Sequence, residues 1–381
     1  MTTGPQLFIG LMSGTSLDGV DAALVELNPR AGAPMRLVGT TYAKFPADLR
    51  EELLDLHADG RSELHRAAIA ANRLAECYAN AVLDLLKTTG TAADKILAIG
   101  CHGQTVRHRP ESGYTVQLNN AALMAELTGI TVVHDFRSRD IAAGGQGAPL
   151  VPAFHAACFR DPTQDRAIVN IGGIANVTAL PATSGEITGF DTGPGNLLLD
   201  AWVQRHLQAD LDAGGRFAST GRVHEGLLEA FLADAYFALP PPKSTGRDHF
   251  NAAWLDGHLG RLSMTIGQSP GNEDVQATLA ELTARSIASA IHRWCPGTRQ
   301  VFVCGGGAHN ADLMARLQSA LAKGKNAVSV ATTEVLGMHP DWVEAIAFAW
   351  LAQQALERRP ANLPAVTGAR GLRVLGSIHY A

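Results

Sequence analysis

Short apolar runs alternate with Gly-rich polar turns along this chain. Leu7-Phe8-Ile9-Gly10-Leu11-Met12 reads as a buried strand, and Val20 to Leu27 reads as a second. Between them lies Ser13-Gly14-Thr15-Ser16-Leu17-Asp18-Gly19, so the pattern predicts strand, polar Gly loop, strand. Helical spacing follows over 47–57 and 62–87. In the longer segment Leu64, Ala68, Ala71, Ala75, Tyr78 and Val82 recur at three- and four-residue steps. Two further strands, Ile96–Ile99 and Thr131–Val133, run into Gly100-Cys101-His102-Gly103-Gln104-Thr105 and His134-Asp135-Phe136-Arg137. The loop Ala143–Pro149 then opens a helix from about 150.

The opening pattern restarts half a chain later. Ala167–Ile171 and Ile174–Leu180 read as strands around a Gly172-Gly173 turn. One repeated hairpin suggests two similar lobes. Phe190-Asp191-Thr192-Gly193-Pro194-Gly195-Asn196 reads as a dense turn before a helix at 196–207, and 236–251, with its three prolines, as a long surface loop. A helix at 274–294, a strand Val301–Cys304, a Gly305-Gly306-Gly307 loop, a helix at 310–322 and a last helix at 341–357 complete the chain.

Composition narrows the class. At 381 residues, two lobes are the default, and 46% hydrophobic against 18% charged residues suits a packed core. Lys and Arg total 31 and Asp and Glu 36, giving −5, which argues against a general nucleic-acid binder. No apolar run reaches the ~18 residues of a transmembrane helix, and no basic segment opens a secretory signal. The five cysteines are scattered without a C-x-x-C pair. A cytoplasmic protein, off the membrane and without a zinc ribbon, is expected.

Gly14 to Gly19 offers glycines, hydroxyls and the Asp18 carboxylate. That set suits a phosphate with its Mg²⁺, and equally an ordinary hairpin turn. The P-loop pattern is absent, and Gly305-x-Gly307-x-x-Asn310 lacks the third glycine of the Rossmann fingerprint. Three glycines between a strand and a helix let a flat ring lie against backbone. Asp191, in its stiff loop, is positioned either for general-base work or for an Asx turn. His102 and His108 lack an acidic companion for a metal and read better as lining a substrate loop. Arg137 and Arg139 follow a strand end, where α/β sheets place ligands.

Together these motifs resemble the actin-like sugar kinase superfamily, and within it the anhydro-N-acetylmuramic acid kinase family. The resemblance rests on seven segments in order: Gly10 to Asp21, His102 to Thr105, Ala143 to Pro152, Asn170 to Asn176, Phe190 to Asn196, Cys304 to Asn310 and Ala365 to Ala369. It implies an α/β, two-lobed actin-like ATPase fold, each lobe a mixed sheet flanked by helices, with ATP in the cleft. The expected lobes are 1–160 with 358–381, and 161–357. It further implies that ATP and Mg²⁺ are used, with a small anhydro-sugar as partner, no nucleic acid or membrane, and a homodimer. The nucleotide would be held by Gly14, Thr15, Ser16, Leu17, Asp18, Gly19, Val20 and Asp21, by Gly172, Gly173 and Asn176, and by Gly305, Gly306, Gly307 and Asn310. Asp18 would meet the metal. The sugar would meet His102, Gln104, Asp135, Arg137, Gly193, Gly195 and Asn196. Asp191 would be the catalytic base and Glu344 a second catalytic carboxylate.

Overall fold

The computed structural model describes residues 4–14, 17–28, 35–183, 185–267, 270–323 and 328–381. Two compact units emerge, one running to Cys158 and resuming over Trp342–Ala381, the other spanning Phe159–Asp341.

In the first unit the strands are β1 (Gln6–Met12), β2 (Gly19–Leu27), β3 (Arg36–Lys44), β4 (Ile96–Cys101), β5 (Gln104–Arg109), β6 (Tyr114–Leu118) and β7 (Val132–His134). In the second they are β8 (Arg166–Ile171), β9 (Ile174–Leu180), β10 (Thr188–Pro194), β11 (Gln300–Cys304) and β12 (Ser329–Thr332), and β13 (Ser377–His379) returns to the first. The first main sheet has the order β13-β7-β4-β1-β2-β3, the second β10-β9-β8-β11-β12. Each contains a three-strand antiparallel meander whose first strand pairs in parallel with a later one, β1 with β4 and β8 with β11. β5 and β6 form a separate ribbon.

Alternation along β1 explains how its sheet is covered. Ile9 and Leu11 are buried in a cluster with Leu74, Tyr78 and Val82 of the helix Glu63–Thr89. Gly10 turns to the other face, under the helix Val343–Leu356. A Cβ there would lie 1.8 Å from the Ala345 carbonyl oxygen, and one on Gly100 would lie 2.0 Å from that of Phe348. Two glycines therefore let this helix sit directly on β1 and β4. Its packing puts it in the first unit, not in the second lobe where its position in the sequence suggested. In the second unit the helix Asn272–Trp294 packs on β9, β10 and the helix Ala311–Ala322.

Six strands, β3, β5, β6, β10, β12 and β13, escape the sequence pattern. β3 has Arg36, Leu37 and Lys44 exposed and no clean alternation, and β5 with β6 is a half-exposed ribbon. Residues 190–194 are strand rather than turn, because β10 pairs antiparallel with β9 across a bulge between Asp191 and Gly193. Among the described residues no helix is long and apolar enough to cross a membrane.

Candidate active site

The strand ends of the second unit converge on a cradle of glycines. The Gly172-Gly173 turn joins β8 to β9, and the chain leaving β10 closes over it. Gly195 and Leu197 donate backbone N–H groups to the Gly173 carbonyl at 2.9 and 3.1 Å, and Asn196 to that of Gly172 at 2.8 Å. No side chain fits at Gly195, since a Cβ would be 2.3 Å from the Gly172 oxygen. Gly305, at the end of β11, has φ +77, and a Cβ there would meet Asn170 Oδ1 at 2.3 Å. Gly307 is packed on Ile171, whereas Gly306 is exposed, its nearest neighbour being Asn196 Nδ2 at 3.7 Å from a Cβ. The cradle is thus closed beneath and open at Gly306, which fits a flat ring lying on backbone. Asn170 Oδ1 is buried without a hydrogen-bond partner among the described residues, an acceptor that suits a ligand's donor.

Not every predicted residue faces this cradle with its side chain. Asn310 Oδ1 accepts from the Leu313 N–H at 2.9 Å and caps the following helix, so that oxygen serves the fold. Asn196 Nδ2 donates to the Ile171 carbonyl at 3.2 Å and braces the turn.

Asn170, Asn176 and Asp191 are directly opposed on β8, β9 and β10, which puts three polar residues in one cross-strand row. Asp191 is fixed by the segment read as a surface loop. Its N–H donates to the Lys243 carbonyl at 3.2 Å, and its carbonyl accepts from the Tyr236 hydroxyl at 2.7 Å. Its Oδ2 accepts from the Thr245 N–H at 3.0 Å. Residues 236–245 are a strap around Asp191. The Tyr236 phenol is pushed up, first by burial and then by the Asp191 charge, so it remains a donor. Lys243 is pulled down by burial and by Arg293, while Asp191 works the other way. Tyr236, Lys243 and Thr245 carry no short-range motif. Only the prolines at 240–242 mark the segment as stiff.

In the first unit the β1–β2 turn is held by side chains. The Ser13 hydroxyl donates to the Gly103 carbonyl at 3.0 Å and accepts from Tyr78 at 2.8 Å. Gln104 Nε2 donates to the Gly14 carbonyl at 3.1 Å, while its buried Oε1 has no partner among the described residues, an acceptor that suits a sugar hydroxyl. Leu17 is buried with φ +58, a left-handed conformation that locks the turn. Thr15 and Ser16 lie outside the described residues. Asp18 is exposed. It and Asp21 both raise the Tyr42 phenol, whose first cause is burial, to about 12. Their charges therefore share one locality. These oxygen donors suit a hydrated Mg²⁺, which keeps its waters. Among the described residues no group of three His, Cys, Asp or Glu forms a metal cage.

His102 is buried between two partners. Its Nδ1 meets the Ser13 carbonyl at 3.3 Å, and its Nε2 faces the Arg137 guanidinium at 2.8 and 3.2 Å. An Nε2 facing guanidinium donors must be the acceptor, so the proton belongs on Nδ1. Burial and then Arg137 press its pKa down to about 3. Arg137 also donates to the Gly147 carbonyl at 2.7 Å, so it reaches the site through His102 and the glycine loop. Asp135, at φ +52, accepts from the Ser138 hydroxyl at 2.5 Å. Arg139 is exposed.

One buried carboxylate went unread. Asp140 accepts from the Gly147 N–H at 2.9 Å, from Asn362 Nδ2 at 2.8 Å and from the Thr367 hydroxyl at 2.8 Å. It ties the 143–149 loop to the 365–369 segment, two motifs more than two hundred residues apart. Glu344 lies in the first turn of the helix Val343–Leu356, in the first unit, whereas Asp191 belongs to the second.

Comparison with known proteins agrees with this arrangement of motifs. A protein of Bordetella petrii named anhydro-N-acetylmuramic acid kinase is 55% identical over 100% of this chain and 98% of its own length. One of the same name from Thiobacillus denitrificans is 54% identical over 98% of this chain and 97% of its own. Among solved structures, the activator of the 2-hydroxyisocaproyl-CoA dehydratase from Clostridium difficile is similar at a TM-score of 0.48 and 12% identity, covering 93% of this chain and 96% of its own. The profile of one kinase family matches residues 6–381, so every glycine turn and the Asp191 strand described above lie inside it. The chain belongs to the anhydro-N-acetylmuramic acid kinase family.

Proposed function

We propose that this chain opens the internal ether of 1,6-anhydro-N-acetylmuramic acid with water and phosphorylates the freed O6 from ATP. The products are N-acetylmuramic acid 6-phosphate and ADP, and the role is recycling of peptidoglycan fragments in the cytoplasm. The observation that carries the mechanism is the Asp191 carboxylate, fixed by the Thr245 N–H beside the glycine cradle.

On this reading Asp191 takes a proton from water, and the water oxygen attacks C1 of the sugar. The C1–O6 bond breaks with its electron pair on O6. O6 attacks the γ-phosphorus of ATP, the bond to the bridging oxygen breaks, and ADP leaves. The proton on Asp191 passes to solvent. Capture of O6 by phosphorus means that no strong acid has to protonate it. Glu344 is the second carboxylate of the proposal.

Each unit's hairpin turn is read as a phosphate loop, Gly14 to Asp21 in one and Gly172-Gly173 in the other. The adenosine rests on Gly305 to Gly307. Asp18, with Asp21 beside it, would hold Mg²⁺ through its waters, and the ion would neutralise phosphate charge. The sugar is assigned to His102, Gln104, Asp135, Gly193, Gly195 and Asn196, with Arg137 orienting His102. The family resemblance also supports a homodimer.

The test is turnover with Mg·ATP and the anhydro-sugar in ¹⁸O-water, stopped before the anomeric oxygen exchanges. A phosphorylated product with one ¹⁸O at C1 is expected. An unlabelled phosphosugar would instead assign a kinase acting on a free hydroxyl. No turnover with any sugar would leave a nucleotide-binding scaffold. Asp191→Asn is expected to lower kcat by about 10²–10⁴ with little change in KM, and full turnover would remove Asp191 from the role of base.

A further inference from the structure

The second unit holds a pocket of about 680 Å³ whose lining includes Thr192, the neighbour of Asp191. That volume suits a ligand of metabolite size. Lys243, Arg285, His292, Arg293 and Lys323 line it, and among the described residues no carboxylate does. Such a grouping stands out in a chain of net charge −5. Arg285 is already engaged by Glu281 at 2.7 Å and Glu225 at 3.4 Å, and His292 Nε2 by the Leu321 carbonyl at 3.3 Å. Lys243, Arg293 and Lys323 remain, and none of them forms an ion pair among the described residues. The Lys243 ammonium donates to the Tyr236 carbonyl at 3.1 Å and lies 4.5 Å from the Tyr236 ring centre. Arg293 lies 4.7 Å over the Trp294 ring. Burial first and then the Arg293 charge press the Lys243 ammonium down, against the opposing charge of Asp191, so the two cations lie close to each other. The rest of the lining mixes apolar residues, Phe237 and Trp294 among them, with the hydroxyls of Thr192, Ser286 and Ser289.

We propose that this pocket binds a phosphate monoester, with the phosphate on Lys243, Arg293 and Lys323 and the ester's ring against Phe237 and Trp294. Lys243 gives the site a route to the chemistry. It lines the pocket, and its carbonyl accepts the Asp191 N–H at 3.2 Å. A bound ester therefore acts on the strap and changes turnover. That coupling rests on reading Asp191 as the base, whereas binding in the pocket does not.

The experiment is calorimetric titration of the full chain, saturated with ADP, using glucose 6-phosphate, AMP and inorganic phosphate. Saturable binding of at least one ester is expected, tighter than inorganic phosphate. A tighter sugar ester assigns a phosphosugar ligand, and tighter AMP assigns a nucleotide. The double variant Arg293→Ala, Lys323→Ala removes two exposed side chains. It is expected to weaken ester binding at least about tenfold and to leave ligand-free kcat and KM unchanged. Equal affinity in the double variant, or no saturable binding to about 10 mM, overturns the site. So does a ligand-free double variant that changes sedimentation, which would mark the pocket as a surface for a second copy of the chain. Ester binding without any change in kcat overturns the coupling alone. Retained turnover in Asp191→Asn would fail the base assignment and leave the binding result standing.

Discussion

The two hairpins β1–β2 and β8–β9 occupy the same place in two sheets of the same topology, yet they are held in opposite ways. The first turn spans Ser13 to Asp18 and is anchored by side chains, through Ser13 with Tyr78 and Gly103, His102 with the Ser13 carbonyl, and Gln104 with the Gly14 carbonyl. The second is only Gly172-Gly173, and the backbone N–H groups of Gly195, Asn196 and Leu197 hold it. The difference teaches how loop length selects the brace. A six-residue turn exposes carbonyls that side chains can reach. A two-glycine turn is narrow enough for another stretch of backbone to close on it, provided that stretch also lacks a Cβ. The first turn can therefore be tuned through its anchors, whereas the closure of the second depends on Gly195, where a Cβ would press on the Gly172 oxygen.

The sharpest way to break the comparison is through the glycines. Gly10→Val would drive a side chain into the backbone of the helix Val343–Leu356 and should cost about 4 kcal/mol or more in chemical denaturation. Gly14→Ala, with no described residue within 4 Å of its Cβ, should stay within about 0.5 kcal/mol. A large loss at Gly14 would mean that the first turn is as crowded as the second.

Next comes Gly195→Ala. Its Cβ would press on the Gly172 oxygen, and the predicted cost is about 1–3 kcal/mol, with ADP affinity in calorimetry falling at least about tenfold. Unchanged ADP affinity would separate the second turn from nucleotide binding.

A third test uses pH. His102 and His155, both in the first unit, are buried and held neutral, their pKa values about 3 against an ordinary 6.5. Between those values the unfolded chain binds more protons than the folded one, so stability falls as pH falls from 6.5 towards 3. The slope is about 1.4 kcal/mol per pH unit for each fully buried histidine. The turn anchored by His102 should loosen first. Amide exchange, corrected for intrinsic rates, should rise at Leu17 between pH 7 and 5 before it rises at Gly195 to Leu197. Simultaneous loosening would show that the two braces are not independent.

The smallest effect is expected from Tyr236→Phe, which removes the hydroxyl that donates to the Asp191 carbonyl. One hydrogen bond contributes about 0.5–1.5 kcal/mol, so kcat should fall roughly two- to tenfold at constant KM. A change in KM alone would assign the strap to substrate binding rather than to Asp191.

Much of this was readable along the chain because it is local. Strand–glycine–strand needs only neighbouring residues, and so does Gly305-Gly306-Gly307 between a strand and a helix. The helix Glu63–Thr89 announces itself by its period. Asp191 shows the limit. Its surroundings in sequence spell a turn, but antiparallel pairing with β9 makes them a strand, and residues 45 to 54 positions away supply its side-chain and carbonyl partners. Asp140 carried no signal, since its partners Asn362 and Thr367 are 222 and 227 positions distant. His102 stood out in the sequence as a candidate substrate-loop histidine, but its neutral state depends on burial and on Arg137.

The sequence by itself therefore determined the family, the two-fold repetition of the hairpin and the places where backbone must approach closely, because glycine spacing and apolar runs act over a few residues. The tertiary structure alone decided which unit receives the helix Val343–Leu356, which segment straps Asp191 and which cations share the second unit's pocket. Those outcomes depend on packing, desolvation and hydrogen bonds between residues far apart in the chain, which no local pattern records.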